Sequence, residues 1–156
     1  MRVDIFTSEE FHRMGYGSIY RDIMRTLISG IVCNEKIALN CFEEHLNNPN
    51  ALFITLFNDD TPIGFAILFD HPDHRSIYEW QVSSKYPQID GYRLMYTFFQ
   101  SKFDQNKDTY SIIKKSNTAR LQLLKTVIPH IKESNLKYSD EHPEKTSELG
   151  YIGLIY

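Results

Sequence analysis

The longest apolar runs in this chain are strand-sized, far short of the roughly 20 consecutive apolar residues a membrane-crossing helix needs. No membrane span is expected. Cysteine is equally scarce, with Cys33 and Cys41 the only two in 156 residues. Two do not make a disulfide framework, so the economical expectation is a reducing cytoplasmic compartment; a Cys33–Cys41 pair is the lesser reading. Positive charge is not in excess either: 17 Lys and Arg stand against 20 Asp and Glu, a net charge of −3. A chain without a net positive field does not release counterions from nucleic-acid phosphates in the usual way, although a local basic patch stays open. The opening Met1–Phe6 lacks the apolar core of a signal peptide. There is no internal repeat, no low-complexity tract, no Gly-x-Ser-x-Gly elbow and no phosphate-binding P-loop.

What is present is core material. Apolar residues make up 42% of the chain, and ten Tyr and ten Phe are too many for a chain that cannot collapse. The length suits a single domain over 1–156.

Val3–Phe6 reads as a strand, followed by a capping box from Thr7 to Glu10 that starts a helix which Gly15 and Gly17 interrupt. A second helix is predicted from Ser18 to about Ser29, with Ile19, Ile23 and Leu27 on one face and Gly30 at its end. A third runs from Asn34 to Leu46, with Ile37, Cys41, Phe42 and His45 on one side. After the break at Asn47–Asn50, the apolar runs Ala51–Phe57 and Ile63–Phe69, separated by Asn58–Pro62, predict a hairpin covered on both faces. Ser76–Ser83 is the next strand and Ser84–Asp90 a polar loop. From Gly91 an amphipathic helix is predicted, with Tyr92, Met95, Tyr96, Phe99 and Phe103 in one stripe. Tyr110–Lys114 is a strand, and Ser116 or Asn117 caps a helix carrying Leu121, Leu124 and Val127 that Pro129 ends. Glu133–Glu148 reads as loop with a brief extended piece at Leu136–Tyr138, and Leu149–Tyr156 as a final strand. Three antiparallel strands followed by a strand–helix–strand crossover make an α/β chain with a mixed, mostly antiparallel sheet and helices on both faces.

This order, with the stretch Gln88-Ile89-Asp90-Gly91-Tyr92-Arg93, resembles the GCN5-related N-acetyltransferases. Their signature is Gln or Arg, two residues, Gly, one residue, then Gly or Ala; Gln88 and Gly91 fit it and Arg93 does not. Asn117, after a strand and opening a helix, matches an Asn the family often has near the coenzyme arm. The resemblance implies an acyl-CoA N-acyltransferase fold, with acetyl-CoA or another acyl-CoA as cosubstrate, a small-molecule or peptide amine as acceptor, and no metal. Gln88, Ile89, Asp90, Gly91, Tyr92 and Arg93 would hold the pyrophosphate at a helix N-terminus, which presents unpaired N–H groups and about half a positive charge. The Val82 backbone N–H would polarise the thioester carbonyl, and Asn117 would steady the coenzyme arm. Two departures stand out. Arg93 either obstructs the phosphates or pairs with them. The family's acid that protonates the departing thiolate falls by spacing on Leu124, which has no proton to give. The Gly-Phe that often follows it is also absent, Ile128-Pro129 standing near its place. Another acid serves, or the thiolate leaves unaided, or the fold persists without catalysis as a binding or regulatory module.

Glu79 is the candidate base, because a carboxylate in an apolar strand has its pKa raised by desolvation; the plain alternative is a solvent-facing or Arg-paired side chain. Gly91 reads equally as a helix-start glycine, Gln88 as a loop residue, and Asn117 as an N-cap without any ligand. Lys114, Lys115 and Arg120 form either a basic rim for a phosphate or solvated charges at a strand end. His71, Asp73 and His74 are spaced too tightly for a common zinc site and read as a polar turn. Tyr78, Trp80, Tyr86, Tyr92 and Tyr96 line an acceptor pocket or, more commonly for such spacing, the core. A homodimer is expected to form, if at all, through the final strand at an open sheet edge.

Overall fold

A computed structural model describes residues 1–28, 35–114, 117–134 and 151–156. The first strand, β1 (Arg2–Thr7), ends where Thr7 caps α1 (Ser8–Arg13). The Thr7 hydroxyl accepts the Glu10 N–H at 3.3 Å, and the Glu10 carboxylate accepts the Thr7 N–H at 2.8 Å, which closes the predicted capping box. Gly15, at φ 74°, turns the chain into α2 (Tyr16–Ile28). Gly17 does not interrupt it; it lies inside α2, where its backbone is helical and no turn is needed. After α3 (Glu35–Leu46) come three antiparallel strands, β2 (Leu52–Asn58), β3 (Thr61–Asp70) and β4 (Arg75–Val82). Then follow α4 (Gln88–Lys102), β5 (Thr109–Lys114), α5 (Thr118–Val127), β6 (Lys132–Ser134) and β7 (Tyr151–Ile155).

Among the described residues the strands form one sheet in the order β1-β2-β3-β4-β5-β7-β6, antiparallel throughout except for β4 beside β5. The interior of β3 is buried along its whole length, as its unbroken apolar run requires of a central strand. One sheet face carries α1, α2 and α3 over an aromatic core of Phe11, Tyr20, Phe42, Phe53, Phe65 and Phe69. Phe11 stacks on Phe53 with ring centroids 4.0 Å apart, and Tyr20 on Phe65 at 3.9 Å. On α2 it is Tyr20 and Met24 that bury fully, with the predicted Ile19 and Ile23 flanking them. The other face carries α4 and α5 over a largely aliphatic core that includes Leu56, Val82, Met95, Leu124 and Val127.

Three sequence expectations are corrected here. The fourth helix opens at Gln88, not Gly91: Pro87 takes the N-cap, so Gln88–Asp90, read as loop for their polarity, form its first turn. The final strand is not an edge. Its residues Tyr151 to Ile155 pair with β5, and Gly153 to Ile155 also pair with β6, so an open-edge dimer through β7 has no edge to use. Glu133 and Ser134, at the start of the stretch read as loop, belong to the strand β6; the expected extended piece Leu136–Tyr138, like Gly30 and Cys33, lies outside the described residues, as does the Cys41 side chain.

Candidate functional site

The site begins with one extra residue. Along β3 and β4, Phe65 pairs with Gln81 and Ile67 with Tyr78, so Ala66 alone opposes both Glu79 and Trp80. That is a β-bulge, which bends its strand and resets the alternation of its side chains. Ile77 and Trp80, three apart, consequently pack into the same α4-side core, while Tyr78 joins the aromatic core on the other face. The bent strand also leaves its parallel neighbour. β4 and β5 pair only at Arg75 with Thr109 and Ser76 with Tyr110; beyond that they part. Among the described residues, the strand edge from the bulge to Val82 therefore has no strand partner on the β5 side.

Backbone direction says which groups face the gap. The Ser83 N–H donates to the Ile63 carbonyl on β3 at 2.7 Å, so the adjacent Val82 turns its N–H and C=O the other way. Such groups are buried and need partners. Two side chains of α4, one turn apart, supply them: Gln88 Nε2 donates to the Val82 carbonyl at 2.7 Å, and the Tyr92 hydroxyl donates to the Trp80 carbonyl at 2.8 Å. Arg120 of α5 covers this arrangement. Its guanidinium lies 4.7 Å from the Tyr92 ring centroid, donates to the Tyr92 hydroxyl and reaches Gln81 Oε1 at 3.4 Å. Burial pushes the Tyr92 hydroxyl pKa up, with Arg120 and the Val82 backbone pulling the other way. Arg120 is set in place by Asn117, whose Oδ1 caps α5 by accepting the Arg120 N–H at 3.2 Å.

At the mouth of α4 no side chain caps the first turn. The Gly91 N–H donates to the Pro87 carbonyl at 3.2 Å, which leaves the amides of Gln88, Ile89 and Asp90 ahead of the first intrahelical bond. Asp90 brings a carboxylate to the same turn, and Arg93, exposed on the next turn, stands 4.0 Å from it and away from the gap network. Gly91 itself faces the sheet: a Cβ there would meet Leu56 Cδ2 at 2.9 Å and Val82 Cγ atoms at 3.1 Å. The close approach it permits is helix on sheet.

The sequence candidates thus separate. Val82, Gln88, Tyr92 and Asn117 converge with Arg120 on the gap; Ile89, Asp90 and Arg93 ring the helix mouth; Leu124 is core. Glu79 stands at the bulge, but its side chain, that of Lys114, and Lys115 altogether lie outside the described residues. Arg120 and the Trp80 carbonyl carry roles that composition and spacing do not announce. The one available signal was Gln88 and Tyr92, four apart and both polar on the helix stripe that meets the sheet. The turn residues His71 and His74 stack at 4.4 Å, with His74 Nδ1 2.7 Å from Asp73 Oδ1, and no group among the described residues has the arrangement of a metal site. On the α3 side of the sheet a cavity of about 450 Å³ is lined by Asn48, Asn50, Leu52, Phe69, His71 and Tyr78, among others.

No protein-family model matches the sequence, and no curated protein does. Solved structures do match. A PaiA N-acetyltransferase from Thermoplasma acidophilum, solved with coenzyme A, superposes with a TM-score of 0.63 at 13% identity over 99% of this chain and 98% of that one. An acyl-CoA N-acyltransferase from Pseudomonas aeruginosa gives 0.59 at 13% identity over 98% of this chain and 97% of that one. A GNAT-family acetyltransferase from Bacteroides thetaiotaomicron gives 0.59 at 13% identity over all of this chain and 86% of that one. At these identities the likeness is one of fold, and it spans the whole described chain.

Proposed function

We propose that this chain, which has the acyl-CoA N-acyltransferase fold of the GCN5-related N-acetyltransferases, is an acyl-CoA-dependent N-acyltransferase acting on a primary amine in the cytoplasm. The observation that carries the reading is the bulge at Glu79–Trp80 and the parting of β4 from β5 after two paired positions, which leaves a strand edge without a strand partner between two helix N-termini. The uncapped amides of Gln88, Ile89 and Asp90 suit a pyrophosphate, since a helix N-terminus favours negative charge. Against that fit stands the Asp90 carboxylate, partly offset by Arg93. Bound acyl-CoA would supply a thioester as acyl donor. Within the chain, the Val82 N–H is the donor for its carbonyl oxygen, and Glu79, at the bulge, is the base that takes the amine's proton. The cavity bounded by Tyr78, the residue before Glu79, is the candidate acceptor side.

A second reading has its own support. Leu124, where the family's acid would stand, is 3% exposed in the aliphatic core and donates nothing. A chain that binds an acyl-CoA without transferring the acyl group, acting as a sensor or regulatory module, is consistent with that.

Calorimetric titration with acetyl-CoA, paired with a thiol-release assay over a panel of amines, separates the readings. The enzyme reading expects binding and release, with Glu79→Gln binding normally and releasing at least about tenfold less thiol. Asp90→Asn, which removes a negative charge at the helix mouth, is expected to bind severalfold tighter. Binding without release for every amine moves the assignment to the second reading. No heat with any acyl-CoA overturns both.

A further inference from the structure

Resting on the reading above, we propose that Tyr92 and Gln88 are a removable stand-in for the coenzyme: they hold the β4 edge closed in the free protein, and the ligand's amide groups must displace them to bind. The Trp80 and Val82 carbonyls are the acceptors that an extended ligand pairing with this edge would use, and both are already filled from α4, at 2.8 and 2.7 Å. Tyr92 is only 1% exposed and Val82 is fully buried, so these bonds are made away from water. A buried backbone group left without a partner is costly, which is why a parted strand needs such a stand-in at all. Arg120 fastens the arrangement from the far side of the gap. It stacks on the Tyr92 ring, bonds its hydroxyl and reaches Gln81, so opening requires α5's first turn to release α4. The apparent affinity for the coenzyme is then its intrinsic affinity reduced by the fraction of molecules in which the edge is free.

The test compares wild type with Tyr92→Phe, which keeps the ring and deletes the donor, and with Arg120→Ala. In the free Phe variant the Trp80 carbonyl lacks its partner, so an incoming amide N–H makes a bond that displaces none. Acetyl-CoA is expected to bind this variant about five- to tenfold tighter than wild type by calorimetry. Arg120→Ala is expected to shift affinity in the same direction. Hydrogen exchange, read by mass spectrometry on the segment 77–86 of the free proteins, is expected to be about tenfold faster in Tyr92→Phe, while β2 and β3 exchange as in wild type. Equal or weaker coenzyme binding by Tyr92→Phe overturns the proposal, because the hydroxyl is then either idle or a ligand contact. Unchanged exchange of that segment overturns it too. Faster exchange with no coenzyme binding by any of the three proteins overturns the displacement and the acyl-CoA reading together, whereas wild-type binding with no gain in the variants overturns the displacement alone.

Discussion

The two faces of the sheet solve the same burial problem in opposite ways. On the α1–α3 face, large rings lie flat on one another, Phe11 on Phe53 and Tyr20 on Phe65, and the one polar tip among them, the Tyr20 hydroxyl, is satisfied inside the core by Thr55 at 2.7 Å and the Gly64 carbonyl at 3.4 Å. On the α4–α5 face the contact is aliphatic and close, set by the bare backbone of Gly91 against Leu56 and Val82. There the polar groups are many: two backbone carbonyls, a phenol, two side-chain amides and a guanidinium meet at one gap. Strands β2 and β3 are paired on both sides, so the aromatic face has only side chains to bury. The other face lies over the place where β4 and β5 separate, and must also satisfy a strand edge. The first face holds the fold, and the second is where a ligand could exchange with the protein's own groups.

Substitutions can break that contrast. The largest effect is expected on the aromatic face. Phe65→Ala removes the ring stacked beneath Tyr20 and beside Phe42, and should lower unfolding free energy in denaturant by about 3–5 kcal/mol. On the opposite face the sensitive change is an addition. Gly91→Val places methyl groups where even a Cβ would come within 2.9 Å of Leu56, and the resulting overpacking should cost about 1–3 kcal/mol in the same experiment. A milder loss at the gap side should mark the faces as different in kind, one limited by lost contact and the other by lost space.

Alkaline titration should draw smaller effects from both faces. Burial pushes Tyr20 well above the ordinary tyrosine range, and Tyr156, whose hydroxyl lies 2.6 Å from Ser111 Oγ, up to about 12. A folded pKa above the unfolded one gives stability that is complete below pH about 10 and lost as pH rises toward the folded value. Melting temperature should therefore hold to about pH 10 and fall beyond it, and Tyr156→Phe should lessen the fall by about 1 kcal/mol at pH 11. The smallest effect belongs to the rim of the helical face. Arg21 pairs with Glu43 at 2.5 and 3.0 Å and holds its carboxyl below the usual range. Glu43→Gln should cost about 0.5 kcal/mol near neutral pH, because the pair is partly exposed, and the gap to wild type should close as pH drops through the carboxylate range.

Much of this architecture was legible locally. The capping box at Thr7–Glu10, the doubly buried runs of β2 and β3, and the Tyr92–Met95–Phe99 stripe are each written in a few neighbouring residues, and each forms as its pattern dictates. The start of α4 was misplaced because a polar first turn behind a proline carries the composition of a loop. The candidate site was legible only in part. Gln88 stood out through its match to the family signature and Tyr92 through the helix stripe, yet what they do depends on a strand that bends away from its neighbour, and Arg120 joins them from another helix entirely.

By itself, then, the order of residues determined the elements, their apolar faces and hence a mixed sheet covered on both sides, since propensity, periodicity and capping act within a few positions along the chain. Only the folded molecule decided that β4 carries a bulge, that β7 lies inside the sheet, and that a phenol and an amide stand in for a missing strand. Those outcomes turn on which backbone groups are left unpaired once distant segments have packed. That demand arises in three dimensions and leaves no periodic mark on the sequence.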